Sequence, residues 1–222
     1  VLRVNNNYGI IPTYTTFTNI QQAYDAANPG DTIHVESSAT SYGNLNAAKQ
    51  LVWIGPGYFI GEGGNNNAGL QHHIYEATLG LRCLAGSDGS TFIGLNLTVN
   101  NLFSTLGIFI SANNISIQRC KTPGIRFLAQ SNNFTIKESF ILGSIQNYNP
   151  TDPSTGNYFI SNNYIQNGIQ LPANYVGVIV INNFIQETSY VVDGAFINNI
   201  INNYSGNSIL CSTPGNVMNN LF

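Results

Sequence analysis

From residue 115 onward the apolar positions keep a fixed phase with a pair of polar ones. "SNNYIQN" at 161–167, "INNFIQE" at 181–187 and "INNIINN" at 197–203 each follow two asparagines with a bulky apolar residue and isoleucine. Taking the apolar residue three places before the second asparagine as an anchor aligns Ile117, Ile136, Ile160, Val180, Phe196 and Val217, with Phe92 fitting more loosely upstream. The steps are 25, 19, 24, 20, 16 and 21 residues, an irregular series about a steady mean. Such a series predicts solenoid coils joined by loops of varying length rather than a strict tandem array.

The columns of this alignment have physical readings. The anchors are apolar throughout, as inward strand positions should be. Five places on stand Thr122, Ile141, Ile165, Ile185, Ile201 and Phe222, again mostly apolar. Three places on come Cys120, Ser139, Asn163, Asn183, Asn199 and Asn220. The pattern predicts strand, corner and strand once per coil, with asparagine at the corner. Asparagine tolerates the left-handed backbone of a sharp bend, and its amide both donates and accepts. Copies stacked about 4.8 Å apart can therefore bond to one another, so Asn163, Asn183, Asn199 and Asn220 are expected to form a structural ladder. Segments such as "YFISNNYI" and "VGVIVINNFI" are β-branched and aromatic, suiting parallel strands between neighbouring coils.

The front end has a different period. In "TNIQQAYDAANPGDTIHV", Ile20, Ala23, Tyr24 and Ala27 share one helical face, and Pro29-Gly30 ends the run. Thr18 is the expected N-cap, with Gln21 completing a capping box. An amphipathic helix here would lid the open end of a solenoid. The whole is expected to be an all-β fold, a right-handed single-stranded parallel β-helix of about nine to ten coils. One domain spans 1–222, with a strand and capping helix over 1–31 and coils over 32–222. The last coil has no lid in the sequence, so continuation beyond Phe222 or an open end is expected.

Composition narrows the function classes. Only 8% of the 222 residues are charged, against roughly 25% in an average soluble protein. Their place is taken by 34 Asn, 17 Ser and 16 Thr, and with a net charge of −3 there is no basic footprint for nucleic acid. No apolar run is long enough to span a membrane. Cys83, Cys120 and Cys211 are too few for a disulfide scaffold and are expected to be buried thiols, with bridging of one pair left open. The sequons at Asn96, Asn114, Asn133 and Asn203 are no more than chance supplies in so Asn-rich a chain.

"TFTNIQQAYDAANPGDTIHVE", followed by "SYGN" and "LVWIGPGYF", resembles the opening coils of the right-handed parallel β-helix superfamily typified by pectate lyases. "GSDGSTFIGLNLT", "NNISIQRC" and "NNFTIKES" resemble its middle coils. "IGPGYFIGE" is similar to bacterial cell-surface β-helix proteins of unassigned activity. The resemblance implies an extracellular or cell-surface setting and a polysaccharide or cell-envelope partner. Chemistry is less constrained, because unrelated activities share the scaffold.

Catalytic signatures of the superfamily are weak in this chain. A lyase needs clustered carboxylates for Ca²⁺ and an Arg or Lys as base, but the ten acidic residues are scattered. "KTPGIR" at 121–126 approaches the lyase Arg-x-Pro-x-x-Arg pattern, making Lys121 and Arg126 the catalytic candidates; a solvated Pro-Gly turn accounts for it more simply. Asp193 in "VVDG" stands alone; His72 and His73, being adjacent, point apart on a strand, so one of them with Glu76 lacks a third metal ligand. Arg119 and Glu138 share a column and are expected to form a surface ion pair. Tyr148, Asp152 and Tyr158 in the loop "QNYNPTDPSTGNY" are candidate sugar contacts. One place after each anchor, Gln118, Lys137 and Ser161 are polar whereas Ile181, Ile197 and Met218 are not; pointing outward they form an apolar stripe for a partner or a second copy, while a one-residue slip of register in "VGVIVI" would send them inward. The C-terminal coil edge is a second expected place for self-association.

Two readings follow. The first is a non-catalytic surface module, structural, adhesive or glycan-binding, with no metal or cofactor. The alternative is a polysaccharide lyase acting on acidic polymers, for which Ca²⁺ would be needed.

Overall fold

A computed structural model describes residues 1–58, 74–100, 107–128, 131–147, 156–171, 177–187, 190–191, 194–201 and 217–221. Every strand pairing among them is parallel, and the coils stack into a β-helix. Three strand columns run along its axis. Face A is an 11-stranded sheet that climbs from Leu2–Val4 through Thr32–Val35, Val52–Ile54, Thr91–Ile93 and Ser116–Gln118 to Val217–Met218, with Thr16–Phe17 at its first edge. Face B stacks Asn96–Val99, Lys121–Thr122, Phe140–Ile141, Tyr164–Ile165, Phe184–Ile185 and Ile200–Ile201. Face C stacks Ile108–Ile110, Ile125–Phe127, Ile145–Asn147, Ile169–Leu171 and Tyr190–Val191. The six-residue strand Thr78–Cys83 bridges faces B and C, pairing with Asn96–Val99 through Thr78, Leu79, Gly80 and Leu81 and with Phe109 and Ile110 through Arg82 and Cys83.

Register matches the columns read from the sequence. Phe92, Ile117, Ile136, Ile160, Val180, Phe196 and Val217 are successive partners on face A. Thr122, Ile141, Ile165, Ile185 and Ile201 are successive partners on face B. All are buried except Val217, which keeps the phase of the column but lies in the edge strand of face A and is 40% exposed. Each fully buried Ile, Val or Phe contributes about 1.5–3 kcal/mol.

Two asparagines divide the work assigned to one. The first of each pair, Asn162, Asn182, Asn198 and Asn219, takes the left-handed backbone with φ between 53° and 57°. Arg119 and Glu138 hold the same place in earlier coils at φ 50° and 54°. The second asparagine has no positive φ and carries the ladder, buried at Asn163, Asn183 and Asn199 and half-buried at Asn220. Asn163 Nδ2 donates to Asn183 Oδ1, Asn183 Nδ2 to Asn199 Oδ1 and Asn199 Nδ2 to Asn220 Oδ1, each at 3.0 Å. Below Asn163 the column continues with Ser139, whose N–H donates to Asn163 Oδ1 at 2.9 Å, and then with Cys120. The corner must bend sharply and also bury its polar groups, and no single side chain meets both demands.

The lid is the helix Ile20–Ala26, which buries Ile20, Ala23 and Tyr24 against the first strands. Its N-cap is Asn19 rather than Thr18: Asn19 Oδ1 accepts from Gln21 and Gln22 N–H, while the Gln21 side chain turns to Asp25 instead of closing a capping box. At the other end Lys49 Nζ donates to the carbonyls of Tyr24, Asp25 and Ala27 at 2.9–3.2 Å, against the negative end of the helix dipole. Beneath the helix, Tyr24, Trp53 and Phe92 stack face to face at 6.5 and 6.4 Å. No helix is long and apolar enough to cross a membrane, among the described residues.

Candidate functional site

Strand alternation sends every second residue outward, and vertical register turns these residues into rows. On face A one outward row reads Thr91, Ser116, Thr135, Phe159, Ile179 and Ala195. Its neighbour reads Gln118, Lys137, Ser161, Ile181, Ile197 and Met218. The first row turns apolar at Phe159, and the second one rung later, at Ile181. Phe159 and Ile179 are exposed, as is Met218, while Ile181 and Ile197 are half-buried. The stripe expected at Ile181, Ile197 and Met218 is therefore outward-facing, and Phe159 and Ile179 widen it.

Beside the polar half of this face lies a cleft of about 370 Å³, bordered by Asn114, Asn133, Asn157, Ser116, Thr135 and Phe159. Asn114 and Asn133 turn the corner at φ 57° and 59°. Asn133 Nδ2 donates to Asn114 Oδ1 at 3.0 Å, and Asn157 N–H donates to Asn133 Oδ1 at 2.9 Å. This second amide row is exposed, unlike the buried ladder at the opposite end of the face A strands.

Face B presents an aromatic row. Phe140 and Tyr164 stack at 4.5 Å and 9°, Tyr164 and Phe184 at 5.5 Å and 4°. In the coil below, Lys121 occupies the same row, with Nζ 3.9 Å from Glu76, whose other oxygen accepts from Asn96 Nδ2 at 2.5 Å. Arg126 lies on face C, in an outward row with Phe109, Gln146 and Gln170. With its oxygen facing Arg126, the Gln146 amide accepts from Arg126 Nε and Nη2 at 2.7 Å each and donates to Gln170 and Ser144. Pro123, Arg126, Leu142, Ser144, Gln146 and Asn167 border a cleft of about 340 Å³ here. At its floor Gly143 passes so close to the Pro123 carbonyl that a Cβ would collide with it. Lys121 and Arg126 thus sit on different faces of one coil, and the structure does not bring them together.

Most described carboxylates are engaged in holding the scaffold. Glu36 pairs with Arg3 at 2.5 Å and Glu138 with Arg119 at 2.6 Å, as the shared column predicts. The Arg119 hydrogen bond and charge hold the Glu138 carboxyl below the usual range. Asp88 is also lowered, chiefly by the Asn113 N–H that its Oδ1 accepts at 2.9 Å. Asp25 binds Gln21, and Asp31 caps the Asn28 N–H. Among the described residues no group of three or more His, Cys, Asp or Glu side chains is placed to hold a metal ion.

Tyr158 is not a loop contact. It lies in the core between Phe127 and Phe134, with its hydroxyl donating to the Ser131 carbonyl at 2.6 Å, because a tyrosine with a buried carbonyl in reach packs as well as phenylalanine does. Tyr148, Asp152, Asp193, His72, His73, Asn203, Cys211 and Phe222 lie outside the described residues. Reasoning from the sequence missed Phe159 and the amide row beside it. For the amide row the signal was there: Asn114, Asn133 and Asn157 each stand three places before an anchor, Ile117, Ile136 and Ile160.

Set against known proteins, the chain matches no family model, no curated protein and no solved structure.

Proposed function

We propose that this chain is a non-catalytic β-solenoid of the pectate lyase-like superfamily, working outside the cell or on its surface as an adhesive module that holds a polysaccharide along its flank. The observation that carries this reading is the set of outward rows. Rung upon rung they offer neutral amides, hydroxyls and aromatic rings in register, a surface suited to a repeating polymer.

Co-sedimentation with a panel of insoluble neutral and acidic polysaccharides tests the proposal. The expected result is retention on at least one polymer, with no release of reducing ends or of ultraviolet-absorbing unsaturated products. Retention on none would sink the glycan-binding role.

The lyase alternative has one observation in its favour, the face C cleft beside Arg126. It requires unsaturated products in the presence of Ca²⁺, abolished by Lys121→Ala or Arg126→Ala. Release of such products by the native chain would replace the first reading.

A further inference from the structure

The cleft at the edge of face A is uncharged. Asn114, Asn133, Asn157, Ser116, Thr135 and Phe159 border it, together with the buried Ile115 and Phe134. Within the hydrogen-bond network of the described residues, Asn133 Nδ2 is engaged with Asn114 and Ser116 Oγ accepts from Gln118 Nε2 at 2.7 Å. Asn114 Nδ2, Thr135 Oγ1 and the Asn157 carboxamide make no such bond there, so donors and acceptors remain for a ligand. One rung above Thr135, as its direct strand partner, stands Phe159 with 41% of its surface exposed.

A ligand for this place must be neutral, rich in hydroxyls and apolar on one side. Ions are poorly served, because no side chain at the cleft compensates their charge and desolvating an unpaired charge is costly. A purely apolar ligand would leave the amides and Thr135 hydroxyl without partners. A pyranose ring meets both requirements, with hydroxyls around its rim and C–H bonds on its face. The rung spacing of about 4.8 Å is also close to the advance of one sugar unit in an extended chain.

We propose that this cleft is the glycan site itself: a subsite for an uncharged, extended pyranose polymer, with one ring packed on Phe159 and the next hydrogen-bonded by Thr135 and the asparagine row. This inference rests on the glycan-holding role proposed above and adds the face, the residues and the neutrality of the ligand. The acidic-polymer cleft beside Arg126 is a different place on the molecule.

The test uses calorimetry and backbone NMR on the full chain with four probes: cellohexaose, mannohexaose, xylohexaose and hexagalacturonate. At least one neutral hexasaccharide is expected to bind, shifting amide signals at 114–116, 133–135 and 157–159. Phe159→Ala is expected to weaken binding about tenfold, and Thr135→Val several-fold. Both positions face outward, so a melting curve close to native is expected for each and is measured alongside. Arg126→Ala is expected to leave binding unchanged. Absence of binding by all three neutral probes overturns the proposal, as does binding that survives Phe159→Ala or is lost with Arg126→Ala. If insoluble polysaccharide is still retained in those cases, the adhesive role stands and only this site falls; if retention also fails, both fall.

Discussion

One oxygen of Asn183 accepts twice from Asn163, at 2.9 Å from its backbone N–H and at 3.0 Å from its Nδ2. The Asn183 Nδ2 in turn donates to the Ile160 carbonyl in the coil before and to Asn199 Oδ1 in the coil after. One buried amide thus fastens three successive coils. Replacing it with leucine, similar in volume, would leave several polar groups buried without partners. Asn183→Leu is expected to lower unfolding free energy by about 3–5 kcal/mol, read by chemical denaturation. The adjacent Asn182 needs only its φ of 57°, so Asn182→Gly should change stability by less than about 1 kcal/mol. Equal losses at both positions would refute the division of labour.

That division also shows where the sequence stops being legible. The anchor and corner columns could be read because inward packing repeats the same demand in every coil. Which asparagine bends and which bonds could not be read, since φ leaves no letter behind when both letters are Asn. The helix start slipped by one residue because Thr18 and Asn19 are both competent caps. Tyr158 was placed in a loop because a long turn-rich segment precedes it, whereas strand pairing with Phe134 carries it inside. Phe159 and Ile179 were invisible as surface residues, because an outward apolar residue in "YFIS" or "VIVI" looks like more core.

Acid should loosen the corners of the early coils. Asp88 and Glu138 both have folded-state values lowered by their partners. Their stabilisation is complete above the unfolded carboxylate range, about pH 4, and fades as pH falls through the lower folded values. The melting temperature is expected to drop across this acid window. Asp88→Asn should flatten the drop while keeping an acceptor for the Asn113 N–H. An unchanged pH profile in that variant would deny Asp88 any part in it.

The two described thiols should be inert in the native state. Cys83 and Cys120 are buried, and burial pushes each up to about 12, so both remain protonated near neutral pH. Peptide mapping after treatment with a thiol reagent at pH 8 should find them unlabelled in native protein and labelled in denaturant. Rapid native labelling at Cys120 would mean that the corner beside Ser139 opens far more readily than its hydrogen bonds imply.

Lys49 should govern the lid more than its place in a turn suggests. Its ammonium gathers three carbonyls of the helix end and lies 4.6 Å from the Tyr24 ring centroid. Lys49→Met keeps most of the stem but loses the charge. It is expected to cost about 1–2 kcal/mol and to speed hydrogen exchange in 20–27 before the coils respond. Uniform acceleration along the chain would instead mean that lid and coils unfold together.

The apolar half of face A bears on self-association. From Phe159 through Ile179 and Ala195, and from Ile181 through Ile197 to Met218, its outward positions carry no charge. A two-fold contact sets a patch against itself, so a charged patch would repel its copy whereas this one would not. Burying these side chains against a second copy removes apolar surface from water on both partners. Sedimentation over a concentration series is expected to show reversible dimers, and Ile179→Lys with Ile197→Lys to abolish them by opposing like charges. Both substituted positions point to solvent, so circular dichroism should be retained. A native chain that stays monomeric at every concentration would leave the stripe as plain surface, and dimers that persist in the double variant would place the contact elsewhere on the solenoid.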